Sequence, residues 1–251
     1  MWSDVIDLRN FYDRPLGRAV VRLISRRLRA LWPRLEQQRV LGIGFATPYL
    51  DVFRGEAERV LAVMPAGQGV MRWPDAEGGG GLVALADENV LPFPDRSMDR
   101  IVMVHCLEST AEVRTVLREC WRVLADGGRL IAVVANRRGL WAWAERAPFA
   151  QGRPFSQRQI TKLLRDGMFA PIATTTALFM PPVWWRLFGS WAAALDDLGA
   201  KLFPTIAGVV VVEAEKQIYA VPFDAVPARQ KRQLARAQSS PMDPQLPINR
   251  P

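Results

Sequence analysis

Leu85-Ala86-Asp87-Glu88-Asn89-Val90-Leu91-Pro92-Phe93-Pro94-Asp95, followed by Ser97-Met98-Asp99 and closed by Asp126-Gly127-Gly128-Arg129-Leu130, decides the reading of this 251-residue chain. Between the two ends lies Arg100 to Val104, a short run of strand length that delivers the single histidine, His105. Val113, Val116, Leu117, Cys120, Trp121 and Leu124 then recur at helical spacing until the Asp126-Gly127-Gly128 turn. Arg129 to Ala135 is apolar again. A strand, a helix and a second strand in that order are the unit from which parallel sheets are built.

The pattern extends towards the N-terminus. Val40 to Ile43, Arg59 to Val63 and Leu82 to Leu85 are three more strand candidates, so five precede residue 136. Residues 16–32 place Leu16, Ala19, Val20, Leu23, Ile24, Leu28 and Leu31 on one side of a helix that Pro33 ends, with Arg18, Arg22, Arg26 and Arg29 on the other. Towards the C-terminus, Ser156-Gln157-Arg158-Gln159 has the form of a capping box for a helix to about Asp166, closed by Gly167. Thr174 to Leu178 and Gly208 to Val212 are late strands. The segment 179–204 between them, with Trp184, Trp185, Phe188 and Trp191, reads as a helical insert. From Pro222 apolar periodicity gives way to Pro, Gln, Ser and basic residues, the composition of a disordered tail.

Charge and cysteine usage narrow the function classes. The net charge of +8 sits at the ends: residues 1–39 hold nine basic and four acidic groups, residues 228–251 five and one. The middle is near neutral, which argues against a nucleic-acid-binding face across the domain. Cys106 and Cys120 lack C-x-x-C spacing and read as free buried thiols of a reducing compartment. No secretory signal pattern opens the chain, and the apolar stretch Leu178 to Leu195 is broken by Pro181-Pro182 and Arg186, so a cytoplasmic protein without a membrane span is expected. No His, Cys and Asp cluster has metal-ligand spacing.

With Pro92-Phe93-Pro94, Asp99, Leu107-Glu108, Arg118-Glu119, Arg122-Val123-Leu124 and Gly127-Gly128-Arg129-Leu130 in register, the chain resembles the class I S-adenosylmethionine-dependent methyltransferases of the type 11 kind. The resemblance covers about residues 38–136. It implies an α/β, Rossmann-like fold: a seven-stranded, mostly parallel sheet flanked by helices, with the two late strands as an antiparallel hairpin at its edge. The corresponding domain is 1–221, with residues 222–251 as the tail.

The resemblance also assigns the site. In the family a glycine-rich loop after the first strand lets backbone approach the cofactor's methionine part; here the run is Gly42-Ile43-Gly44-Phe45-Ala46-Thr47-Pro48, which keeps Gly44 but carries Gly42, Ala46 and Pro48 at positions where the family usually has an acid and two glycines. The acid that takes both ribose hydroxyls is replaced by Met64, whose thioether is a weak acceptor. Asp87 falls where a carboxylate accepts from the adenine amino group, and Glu88 where a backbone amide meets the ring. The same motif with Met64 fits a nicotinamide dinucleotide enzyme poorly, since G-x-G-x-x-G wants a third glycine and a later acid. His105, at the carboxyl end of its strand, is either a general base or a lining residue.

The expected function is therefore methyl transfer from S-adenosylmethionine to an unidentified acceptor. The tryptophan density around the insert, with Trp141 and Trp143 nearby, points to a lipophilic or aromatic one. The alternative is a catalytically degenerate relative that serves as a binding or regulatory partner. Methyl transfer is an in-line displacement on an already activated donor, so dedicated catalytic side chains need not exist.

Overall fold

The computed structural model describes residues 3–74, 81–143, 147–182, 192–202 and 204–218. Seven strands form one sheet: β1 (Arg39–Gly44), β2 (Arg59–Pro65), β3 (Val83–Ala86), β4 (Met98–Val104), β5 (Leu124–Ala135), β6 (Phe169–Ala177) and β7 (Val209–Lys216). Their order is β3-β2-β1-β4-β5-β7-β6. β1 to β5 run parallel, and β7 pairs antiparallel with both β5 and β6, which makes the expected hairpin edge.

Six helices are described: α1 (Val5–Tyr12), α2 (Pro15–Leu31), α3 (Thr47–Leu50), α4 (Val113–Val123), α5 (Gln157–Asp166) and α6 (Ala192–Leu202). The sheet is buried on both faces, as a parallel sheet requires. On one face Leu8, Ile24 and Leu28 of α1 and α2 pack with Val40, Met64, Val104, Ile131 and Val211; on the other, Leu117, Cys120 and Leu164 of α4 and α5 pack with Leu41, Val63, Met103, Ala132 and Val210. Both cysteines are free and buried.

Local signals explain most boundaries. Pro15 occupies the first turn of α2, where its missing N–H costs nothing, and Trp32, just before Pro33, leaves the helical region. The α5 capping box is complete: the Ser156 hydroxyl accepts from Gln159 N–H, and the Gln159 side chain accepts from Ser156 N–H at 2.9 Å. Three expectations need correction. β5 begins at Leu124, so the Asp126-Gly127-Gly128 turn lies within that strand and α4 ends before it, because Leu124 is already extended. β6 starts at Phe169, five residues before Thr174. Helix α1 is an addition; its eight residues offer only Val5, Leu8 and Phe11 as a repeat.

The α2 arginines are also largely spoken for. Arg26 and Arg27 pair with Asp197 and Asp196, each at 2.8 Å, Arg29 pairs with Glu56, and Arg18 donates to Asp13 O. The tail, and Trp184, Trp185, Phe188 and Trp191 of the insert, lie outside the described residues. No helix among the described residues is long and apolar enough to cross a membrane.

Candidate functional site

The sequence-derived site residues gather at the carboxyl ends of adjacent strands: Gly42, Gly44 and Phe45 at the end of β1, Met64 in β2, Asp87 and Glu88 after β3, His105 after β4. Open α/β sheets place their ligands at these ends. The glycines are explained first by packing. A Cβ on Gly42 would stand 2.5 Å from Leu50 Cδ1, and one on Gly44, whose φ is +81°, would stand 2.3 Å from Val104 O. Gly42 thus seats α3 on β1, and Gly44 lets the end of β1 close on β4, where Phe45 N–H donates to Val104 O at 2.9 Å. The helix that follows is four residues long, and its N-cap, Ala46, makes no side-chain cap bond.

Above β1 and β4 the crevice is filled. The Tyr12 ring from α1 stacks on Phe45, with centroids 5.4 Å apart and planes at 17°. Its hydroxyl lies 2.8 Å from the Tyr49 hydroxyl and 2.6 Å from His105 Nε2. Phe149 packs against the other side of the imidazole at 4.8 Å. Phe45, Tyr49 and Met64 are all buried. Burial alone holds the His105 pKa down at about 3, so the ring is neutral and hydrogen-bonds Tyr12 through Nε2. His105 also has φ +52°, the left-handed region that a side chain normally avoids.

Sequence reasoning did not single out Glu108 for chemistry. It is buried, and Oε1 accepts from Ala135 N–H at 2.7 Å while Oε2 has no partner. Desolvation lifts its pKa to about 7, against the pull of the Ala135 N–H. A carboxyl poised near neutrality is better matched to accept a proton than an imidazole at about 3. The Leu107-Glu108 dipeptide was legible as a motif; its burial was not.

At the β3 end the site is open. Asp87 is exposed, and its Oδ1 accepts from both Asn89 N–H at 2.8 Å and Asn89 Nδ2 at 2.9 Å, an Asx-type turn that leaves Oδ2 free among the described residues. Glu88 is buried and accepts from the Thr110 hydroxyl at 3.3 Å. The following loop is stapled by Arg122, which reaches Leu91 O, Phe93 O, Asp95 and Glu119 at 2.7–3.0 Å. This is why Pro-Phe-Pro and the distant Arg-Glu and Arg-Val-Leu motifs occur together.

A cleft of about 440 Å³ lies between α1 and residues 148–151, lined by Ser3, Asp7, Leu8, Asn10, Phe11, Arg14, Pro148 and Gln151. Trp141 does not line it; that ring is buried and its Nε1–H donates to Met180 O at 2.9 Å. No group of three or more His, Cys, Asp or Glu among the described residues could hold a metal ion.

An adenosyl group would need polar partners of the kind present after β2, β3 and β4, where the Asp87 carboxylate is exposed and buried polar atoms of Gln68, Asn89 and Glu108 stand without partners. At the β1 end the aromatic cluster occupies the space above Gly44. The fold is that of the class I S-adenosylmethionine-dependent methyltransferases. Residues 40–132 match the family described as a methyltransferase domain.

Among its relatives, an uncharacterized protein of Mycobacterium tuberculosis is 29% identical over 185 residues, which is 68% of this chain and 60% of that one. The chain thus spans about three fifths of that relative's length. The demethylmenaquinone methyltransferase of Thermus thermophilus is 36% identical over 95 residues, 38% of this chain and 35% of the enzyme. Among solved structures, a Thermotoga maritima S-adenosylmethionine-dependent methyltransferase, described as a possible histamine N-methyltransferase, superposes with a TM-score of 0.62 at 20% identity, over 85% of this chain and 96% of that one.

Proposed function

We propose that this chain transfers a methyl group from S-adenosylmethionine to a small acceptor in the cytoplasm. The match of residues 40–132 to a methyltransferase domain carries the reading. The free carboxylate oxygen of Asp87 beside the buried Glu88 supports it. The cofactor brings the activated methyl; the protein has to bind, orient and exclude water. In this reading Asp87 accepts from the adenine amino group and the Glu88 backbone meets the ring. Glu108 takes the proton when the acceptor carries one, and His105 positions Tyr12 rather than acting as the base. The acceptor enters by the cleft beside α1, whose Asp7, Asn10, Arg14 and Gln151 suit a polar molecule better than a lipophilic one.

The filled crevice favours a second reading, in which the aromatic cluster has replaced the cofactor and the domain serves as a binding or regulatory partner. Calorimetric titration with S-adenosylhomocysteine separates the two. The enzyme reading expects saturable binding, and at a hundred times the dissociation constant about 2.7 kcal/mol of added stability. It also expects Asp87→Ala to bind more weakly. Absence of binding at millimolar ligand by the parent and by Tyr12→Phe, which loosens the cluster, would leave the binding-partner reading.

A further inference from the structure

Gln68 is anchored through its backbone and idle in its side chain. Its N–H donates to Pro65 O and its carbonyl accepts from Val5 N–H, each at 2.9 Å. The side chain is 2% exposed, yet neither Oε1 nor Nε2 has a partner. A buried primary amide without hydrogen bonds destabilises the fold that holds it, so such a group calls for a reason.

Its place supplies one. Gln68 sits in the turn leaving β2, four residues after Met64, where the resembled family keeps its ribose acid. Ala66 N–H, donating to Ala86 O at 3.1 Å, fixes that turn to the end of β3, beside Asp87. On the neighbouring turn Asn89 Oδ1 is also buried and unpartnered. Helix α1 covers the spot: Val5 bonds Gln68 O, and its side chain lies against Gly69, where an added Cβ would meet Val5 Cγ1 at 3.2 Å.

We propose that Gln68 is the ribose clamp of this protein, covered by α1 until the nucleoside enters. The proposal rests on the cofactor reading above. A carboxylate holds a vicinal diol by accepting twice. A primary amide holds it by accepting from one hydroxyl through Oε1 and donating to the other oxygen through Nε2, which satisfies both orphaned atoms at once. The Val5 bond and the Val5 side chain against Gly69 hold α1 on this turn in the ligand-free protein.

The test is titration of the full chain with S-adenosylhomocysteine and with 2′,3′-dideoxyadenosine, in the parent and Tyr12→Phe backgrounds. Gln68→Ala is expected to weaken S-adenosylhomocysteine about tenfold, the loss of two neutral hydrogen bonds, and to leave dideoxyadenosine unchanged. Gln68→Glu is expected to bind at least as tightly as the parent. Gln68→Leu is expected to raise the melting temperature of the ligand-free protein while weakening the ligand; a residue kept for folding alone would lower it. Equal affinities in parent and Gln68→Ala would overturn the clamp and leave the cofactor reading standing. No binding in either background would remove the cofactor reading and the clamp with it.

Discussion

Glu108 and His105 carry opposite pH dependences within one short loop. The Glu108 pKa is raised to about 7 by burial, so between its unfolded value near 4.5 and 7 the folded state holds the extra proton and stability falls as pH rises. His105 is depressed to about 3, so between 3 and its unfolded value near 6.5 the unfolded state holds the extra proton and stability rises with pH. From pH 5 to 6.5 the two nearly cancel. Glu108→Gln removes one of them: its melting temperature is expected to climb from pH 5 to 7 while the parent's stays almost flat, and above pH 7 the variant gains on the order of 3 kcal/mol. A parallel pair of melting curves would contradict the assignment.

The positions of these residues were legible, since strand periodicity and turn chemistry place Asp87, Glu88, His105 and Glu108 at strand ends. What surrounds them was not. Tyr12 lies 93 residues from His105 and Tyr49 lies 37 from Tyr12, and no local pattern announces a contact over such separations. Met64 reads from the sequence as a missing acid, but nothing local marks Gln68 as buried and unpartnered.

Among the elements, the loop of residues 91–95 owes its shape to one guanidinium. Arg122 binds two carbonyls and two carboxylates, and the carboxylates, Glu119 and then Asp95, raise its pKa. Arg122→Met keeps the stem against the loop and deletes the fork. Two carbonyls then lose a charged donor, each such bond being worth about 1.5–3 kcal/mol. The variant is expected to lose about 3 kcal/mol in urea denaturation, the low end for two such bonds in a part-exposed loop, and to speed amide hydrogen exchange in 89–95 while α5 stays protected. Unchanged exchange in that loop would show that the prolines alone set it. The motif was visible in sequence as a resemblance; its cause is this staple. Helix α1 was missed because a repeat of three apolar positions in eight residues is too short to stand above background.

At the largest scale, the described residues up to Ile218 form a sheet between two separate apolar layers, with Ile131 in one and Leu117 in the other. Both are fully buried. Ile131→Ala and Leu117→Ala should each cost about 2–5 kcal/mol, cavity included. Because the sheet stands between the sites, the double variant is expected to lose the sum of the two within about 0.5 kcal/mol. A larger discrepancy would mean that the layers communicate through β4 and β5.

Asp196 joins distant parts of this architecture. Its Oδ1 accepts from Leu178 N–H at 2.7 Å and from Phe179 N–H at 3.3 Å, just beyond β6, while its Oδ2 holds Arg27 of α2 at 2.8 Å. Cutting away the first thirty-one residues to expose the crevice would therefore strip a sunken anion of its counterion and loosen the far rim of the sheet. Any such trimmed protein would report on a damaged hairpin as much as on an unlatched door, and point changes at Tyr12 are the cleaner instrument.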